Sequence, residues 1–128
     1  MPNLKTVDLR VMMPAKNFAV SKAFYEAIGC VVHDVSTELA LVYFADRRFY
    51  LQNYYVKEWA ENFVLYVVVE DAHAWYEHVA AQIGSNRFAG ARVQPPRQED
   101  YGALVTYLID PSGVLIQFAQ VHATLSTR

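Results

Sequence analysis

Short runs of alternating apolar and polar residues occupy much of the chain, which is the pattern of half-buried strands. Two longer stretches instead repeat their apolar residues at helical spacing. The pair Pro95-Pro96 marks a loop, and a short strand is expected just before it. The predicted strands cover residues 7–13, 30–35, 39–44, 49–52, 63–69, 92–94, 103–109 and 114–120.

Each helical stretch begins after a residue that caps helices and ends at a glycine. Asn17 and Asp71 are predicted to accept hydrogen bonds from the first-turn amides, and Gly29 and Gly84 to end the helices. The apolar stripes that the helices bury are Val20, Ala23, Phe24, Ala27 and Ile28 in the first, and Ala72, Trp75, Tyr76, Val79 and Ile83 in the second.

The two helical stretches and the strands before them are imperfect copies of each other. VMMPAKNFAVSKAFYEAIG (residues 11–29) and VVVEDAHAWYEHVAAQIG (residues 67–84) share an aromatic-Tyr-Glu triplet and a final Ile-Gly. Such a repeat indicates two copies of one supersecondary unit, neither of which buries its apolar face alone. We therefore predict an α+β fold with two βαβββ modules that form a curved mixed sheet around a central cup. Residues 1–128 are predicted to form one domain, with modules at about 5–53 and 62–121.

Because side chains alternate across a strand, each strand supplies residues to both faces of the sheet. The pairing assumes turns at residues 46–48 and 110–113. The face predicted to carry the helices has Leu9, Val11, Met13, Tyr43, Leu51, Leu65, Val67, Val69, Val105, Tyr107, Ile116 and Phe118. The opposite face has Asp8, Arg10, Met12, Val42, Phe44, Tyr50, Gln52, Val64, Tyr66, Val68, Leu104, Thr106, Leu115 and Gln117. Its mixture of aromatic and polar groups favours a small-molecule pocket, with a dimer contact as the alternative.

Composition narrows the possible partners. The net charge is −2 and no element carries a cluster of Lys and Arg, which disfavours nucleic acid. The apolar runs are shorter than the roughly 18 residues of a membrane span, so no membrane partner is expected. Cys30 is the only cysteine, which excludes an internal disulfide and favours a cytoplasmic location. We expect it to be a core residue.

Three segments give the chain a resemblance to a known family. SKAFYEAIG (residues 21–29) is similar to an S-x-x-F-Y-x-x-L-G helix, residues 69–71 resemble a strand-to-helix junction, and DPSGVLIQF (residues 110–118) resembles a D-P-x-G hairpin with its final strand. In this order they resemble the vicinal oxygen chelate superfamily, which includes glyoxalases, extradiol dioxygenases and bleomycin-resistance proteins. The resemblance implies the fold but leaves the activity open, because the fold hosts many chemistries.

The resemblance also implies where a metal would bind. The ligand positions of metal-dependent members fall here on Arg10, Val64, Gln52 and Gln117. An arginine and a valine cannot hold a divalent cation, and two neutral amides beside a fixed positive charge are a poor site. We therefore expect no metal and no cofactor. The four histidines, which are expected on the surface or on helix faces, are His33, His73, His78 and His122.

The predicted function is metal-independent binding of a small molecule, of the sequestration or resistance type, with an anionic or aromatic ligand. Arg10 favours a ligand with a carboxylate. Asp8 lies two residues away on the same face, so a structural ion pair with Arg10 is the alternative. The predicted ligand-binding residues are Arg10, Phe44, Tyr50, Gln52, Tyr66, Thr106 and Gln117.

Two other functional classes remain open from the sequence. A glyoxalase- or dioxygenase-like enzyme acting on a small organic substrate would have Asp8, Tyr50 and Tyr66 as its titratable groups. A partner-binding module would use the aromatic loop at residues 54–59. The family resemblance implies a homodimer, and the sequence does not decide whether the cup forms within one chain or between two.

Overall fold

A computed structural model describes residues 2–84 and 87–121 of the chain. His122 and the rest of the C-terminal tail lie outside the described residues. The elements are β1 (Met12–Pro14), α1 (Phe18–Ala27), β2 (Val31–Ser36), β3 (Leu39–Phe44), β4 (Arg47–Gln52), α2 (Lys57–Ala60), β5 (Val64–Val68), α3 (Ala72–Ile83), β6 (Arg92–Val93), β7 (Arg97–Gln98), β8 (Leu104–Ile109) and β9 (Leu115–Gln120). None of the described helices is long and apolar enough to cross a membrane.

The strands form two sheets with matching topology. The N-terminal sheet has the order β1-β4-β3-β2 and the C-terminal sheet the order β5-β9-β8-β6, with β7 also paired to β8. In each sheet the first and last strands of the repeat are parallel, and the remaining pairs are antiparallel. The predicted α+β class and the repeated β-α-β-β-β order are therefore confirmed, with β7 as an additional short strand.

The predicted helix ends are also confirmed. The side chain of Asn17 accepts a hydrogen bond from the amide of Val20 (3.2 Å), and that of Asp71 accepts one from the amide of Ala74 (3.0 Å). Gly29 follows α1 with φ of 108°, a backbone conformation that residues with a Cβ atom rarely adopt.

The first strand is shorter than predicted. Residues 7–13 were expected to be extended and paired, but β1 begins only at Met12. Before it, the Val11 carbonyl accepts a hydrogen bond from the amide of Tyr50 (2.8 Å), and residues 2–10 form no strand. Within the described chain β1 has a neighbour on one side only, so its N-terminal extension lacks the second set of backbone partners that would hold it in a sheet.

Two hairpin turns differ by one residue from the predicted turns. Phe44 pairs with Arg47 across a two-residue turn in which Ala45 has φ of 55°. Ile109 pairs with Leu115 across a five-residue loop. A one-residue change in register moves every side chain of a strand to the other face. The predicted faces of β3 and β8 are therefore wrong: Val42, Phe44, Leu104 and Thr106 lie on the helix-bearing side, and Tyr43, Val105 and Tyr107 lie on the helix-free side.

The two sheets pack through their helix-bearing faces and share one hydrophobic core. The ring of Phe24 on α1 meets that of Phe88 at a centroid distance of 5.4 Å, and Phe44 of the N-terminal sheet meets Phe118 of the C-terminal sheet at 6.0 Å. The helix-free faces consequently lie on opposite sides of this core.

The turn after β8 is buried against α1 and joins the two halves. The hydroxyl of Tyr25 donates a hydrogen bond to Oδ2 of Asp110 (2.6 Å), while Oδ1 accepts from the amides of Ser112 (2.8 Å) and Val114 (3.0 Å). The Oγ atoms of Ser21 and Ser112 lie 3.2 Å apart. Burial raises the pKa of Asp110 although these donors act to lower it, and burial also raises the pKa of Tyr25.

Replacing Tyr25 by Phe is expected to lower the free energy of unfolding by about 1–3 kcal/mol, because a buried carboxylate loses a donor that water does not replace. Chemical denaturation measures the difference. Tyr54→Phe is the matched control, because Tyr54 is half exposed and its hydroxyl has no hydrogen-bond partner within the described residues. The control should change stability by less than about 0.5 kcal/mol. Equal stability of Tyr25→Phe and the parent would contradict the role of this bond.

Candidate functional site

Five of the predicted ligand-binding residues lie on the helix-free faces. Tyr50 and Gln52 of β4 are on the N-terminal sheet, where Arg10 reaches Tyr50, and Tyr66 and Gln117 pair with each other on the C-terminal sheet. Because these faces lie on opposite sides of the core, Gln52 and Gln117 do not meet in a common hollow within one chain. Their role in ligand binding stays a prediction.

Phe44 and Thr106 lie elsewhere, as a result of the turn lengths. Phe44 contacts Trp75 at a centroid distance of 6.0 Å and faces the space between the two sheets. Thr106 is fully buried, and its hydroxyl donates to the carbonyl of Gln94. The predicted position of Thr106 on an accessible face is therefore wrong. Its side chain instead fixes the loop that follows β6.

Arg10 belongs to a network of charges at the N-terminal end of β4. Asp8 Oδ2 accepts hydrogen bonds from Nε of Arg10 and from Nε of Arg48, both at 2.8 Å, and Nη1 of Arg10 donates to the hydroxyl of Tyr50 (2.8 Å). The ion pair between Arg10 and Asp8 that the sequence suggested is thus present, but Asp8 is shared between two guanidinium groups. The three groups together carry one net positive charge.

The same network sets the ionisation of Asp8. The hydrogen bond from Arg48, with those from the Leu9 amide and Arg10, lowers the pKa of Asp8 to about 2. The hydrogen bond with Asp8 raises the pKa of Arg10 and that of Arg48. All three side chains remain charged at neutral pH.

A cleft of about 950 Å³ opens between the two sheets, beside this network. Trp75 forms its inner wall and stacks on Phe118, with ring centroids 4.5 Å apart and an interplanar angle of 7°. Asp46, Arg47 and Arg48 lie at the turn that borders it. The remaining lining residues are Asp8, Leu9, Val11, Gly29, Phe44, Ala45, Phe49, Leu65, Tyr66, Val67, Val68 and Val69. A large apolar cleft with a few charged groups is the usual form of a small-molecule site.

The cleft contains Phe44 and Tyr66 from the predicted set, while its inner wall was not predicted as a site. Trp75 and the residues Leu65, Val67 and Val69 were assigned to the core. Their apolar periodicity is the same whether they pack against protein or line an open space. The sequence therefore holds no signal that separates the two cases.

Two of the positions that the family resemblance assigns to metal ligands are occupied by Arg10 and Val64, and the absence of a metal stays a prediction. Arg10 directs its donors at Asp8 and Tyr50, and Val64 offers no lone pair. No group of three or more His, Cys, Asp or Glu side chains suited to a metal occurs among residues 2–84 and 87–121.

Two other reactive side chains lie away from the cleft lining. Cys30 is buried, and burial raises its pKa to about 12. Nε2 of His78 lies 3.0 Å from the carbonyl oxygen of Ile28.

Solved structures with this fold include several proteins that bind antibiotics. No protein-family profile matches the chain, and no curated protein does. A bleomycin-binding protein from Streptomyces verticillus, solved with copper(II)-bleomycin, is 18% identical, with a TM-score of 0.76 over 94% of this chain and 99% of that one. A bleomycin resistance determinant encoded on transposon Tn5 is 19% identical, with a TM-score of 0.75 over 91% of this chain and 99% of that one. TnmS3, an antibiotic-binding protein from a Streptomyces species, is 17% identical, with a TM-score of 0.70 over 94% and 100%. At these identities the likeness concerns the fold, and the resemblance to the bleomycin-resistance fold is confirmed.

The stabilisation contributed by Asp8 is expected to depend on pH. The folded pKa of about 2 lies below the ordinary value of 3.8, so the unfolded chain binds more protons between these values and stability rises with pH there. The difference in thermal midpoint between the parent and Asp8→Asn should have its maximum value above about pH 4. It should become smaller as the pH falls toward 2. Thermal unfolding between pH 3 and 7 measures it.

Asp100→Asn is the matched control, because it removes an exposed carboxylate that has no ion pair within the described residues. Added salt should also reduce the difference for Asp8→Asn, since the network is partly exposed. A difference that is constant from pH 7 to pH 3 would show that Asp8 does not stabilise the fold through its charge.

Proposed function

On the basis of this shared fold, we propose that the protein binds a small organic molecule in the cleft between its sheets, as a sequestration or resistance protein does, without a metal. The observation that carries the proposal is the cleft of about 950 Å³ beside Trp75. Most of its lining residues are apolar or aromatic, so a ligand that fills the cleft removes from water a surface that the protein leaves open. A cytoplasmic location is part of the proposal, in keeping with the single reduced Cys30.

The lining favours a ligand with a flat apolar body and a negative charge. Phe44 and Trp75 provide aromatic surfaces, and Leu65 and Val67 provide aliphatic ones. Beside them, the Asp8-Arg10-Arg48 network carries one net positive charge. A guanidinium pairs well with a carboxylate, so this excess favours an anionic ligand over a cationic one such as bleomycin.

We further propose a homodimer in which the second copy covers the exposed apolar residues of the N-terminal segment. Leu4, Val7 and Leu9 are 84%, 98% and 91% exposed, which is unusual for three apolar residues in one short segment. Pairing with a second copy would bring the helix-free face around Gln52 opposite the one around Gln117. The predicted cup, with Arg10, Tyr50, Tyr66 and both glutamines, would then form between two chains.

Fused-ring aromatic carboxylates are expected to raise the thermal midpoint of the parent protein by several degrees, because saturation at 100 times Kd stabilises by about 2.7 kcal/mol. Val67→Trp fills the cleft from its wall and should abolish the shift. Val64→Trp is the matched control, since Val64 lies on the same strand but on the opposite face. Calorimetric titration of both variants checks the result.

The two parts of this proposal fail separately. If no ligand stabilises the parent, or if Val67→Trp binds as well as Val64→Trp does, the cleft is not the binding site. If carboxylates stabilise Arg10→Ala as much as the parent, the cleft binds ligands but the preference for an anion is wrong.

The parent is expected to sediment with twice the mass of the chain at micromolar concentration. Val7→Asp should shift it toward the monomer, because a charge replaces an apolar group in the proposed contact. Thr6→Asp is the control, because it adds the same charge at the neighbouring residue. A monomeric parent would contradict the homodimer, and so would a Val7→Asp protein that sediments like the parent.

A further inference from the structure

We propose that the protein has a second ligand site, on the helix-free face of the C-terminal sheet, that binds the carboxylate of a small organic acid. A pocket of about 280 Å³ lies there, and it shares no lining residue with the cleft. Its lining residues are Arg92, Gln94, Arg97, Tyr107, Ile109 and Leu115. The pocket adjoins Gln117 on the face that would line the cup of the proposed homodimer, and the proposal does not depend on the cleft.

Arg92 provides a cation that the protein itself does not neutralise. It lies on β6 opposite Ile109, which places it on the helix-free side of the sheet. Within residues 2–84 and 87–121 its side chain has no hydrogen bond, ion pair or ring contact, whereas the side chains of Arg10, Arg47 and Arg48 each pair with an aspartate. A guanidinium has five donors in one plane, and a carboxylate uses two of them at once.

Arg97 is held in place from two sides. Its Nε and Nη2 atoms both lie 3.1 Å from Oε2 of Glu99, and its guanidinium lies 5.2 Å from the centre of the Tyr107 ring. The hydroxyl of Tyr107 donates to the same carboxylate, which fixes Glu99 in turn. The ion pair with Glu99 uses Nε and Nη2 of Arg97, so Nη1 is the part of the guanidinium that it leaves for a ligand.

The charges around the pocket therefore add up to one positive charge, from two arginines and one glutamate. The hydrogen bonds around Glu99 lower its pKa, Tyr107 contributing most, so it stays ionised at neutral pH and the balance holds. The excess charge lies at Arg92, the group with no internal partner. An anion that contacts both arginines would be bound by complementary charge.

The floor of the pocket decides which anion fits. Ile109 and Leu115 are paired across β8 and β9, half buried, and apolar, and the Tyr107 ring lies beside them. A volume below the usual range of about 300–1,000 Å³ admits a single ring or a short aliphatic chain. Inorganic phosphate would leave this floor in contact with water, whereas a carboxylate on an apolar group covers it. The geometry thus favours a small apolar carboxylic acid.

The test uses benzoate and cyclohexanecarboxylate as probes, with benzamide as the neutral analogue, in titrations followed by two-dimensional NMR. The carboxylates should shift the amide signals of Tyr107, Ile109 and Leu115, and benzamide should not. Arg92→Gln should weaken binding roughly tenfold or more, because a charged hydrogen bond is lost. Arg92→Lys, which keeps the charge without the planar fork, should weaken it less.

Two variants separate this site from the rest of the molecule. Lys57→Gln removes the same charge from an exposed helix position and should leave the affinity unchanged. Val67→Trp, which fills the cleft, should also leave it unchanged. Four results would overturn the second site: no shifts in the pocket, equal binding of benzamide, equal affinity of Arg92→Gln, or loss of carboxylate binding in Val67→Trp. None of these depends on whether the cleft binds fused-ring ligands.

Discussion

The hydrogen bond between Tyr25 and Asp110 is the constraint on which the arrangement of the two halves depends. Asp110 is buried, and a carboxylate in that position is stable only when donors surround it. One donor comes from α1 of the N-terminal half, and the others are amides of its own turn. Because these donors have fixed directions, the β8–β9 hairpin has one position against α1. The adjacent contact between Ser21 and Ser112 reinforces that position.

This arrangement explains where open space remains. The sheets pack through the faces that carry the helices, and α1 and α3 fill the space between them only in part. Leu65 and Val67 on the inner face of β5 and Val69 just after it are only partly buried against the core, and the cleft lies beside them and Trp75. The turn between β3 and β4 brings Arg47 and Arg48 to its border, next to Asp8. An apolar interior thus meets a small cluster of charges, which is a suitable combination for an amphipathic ligand.

Much of the fold could be predicted from local patterns, and the wrong face assignments have one cause. Asn17, Asp71 and Gly29 act within a few residues of their own position, so the sequence is sufficient to place them. Phe44 and Thr106 were assigned to the wrong face because that assignment required the length of a turn. Asp46 and Arg47 resemble turn residues, but the structure has its turn at Ala45 and Asp46. A strand has a period of two, so an error of one residue is a complete reversal.

The sequence by itself determined the repeated unit, the order of its main elements, the ends of α1 and α3, the burial of the single cysteine, and which residues of β4, β5 and β9 lie on the helix-free faces. These properties follow from contacts between residues that are near each other in the chain. Only the tertiary structure decided that Gln52 and Gln117 lie on opposite sides of the core, that Asp8 serves two arginines, and that Trp75 lines a cleft. Those properties depend on how separate elements pack. Apolar periodicity predicts that a side chain is buried, but it does not predict which residues the side chain contacts.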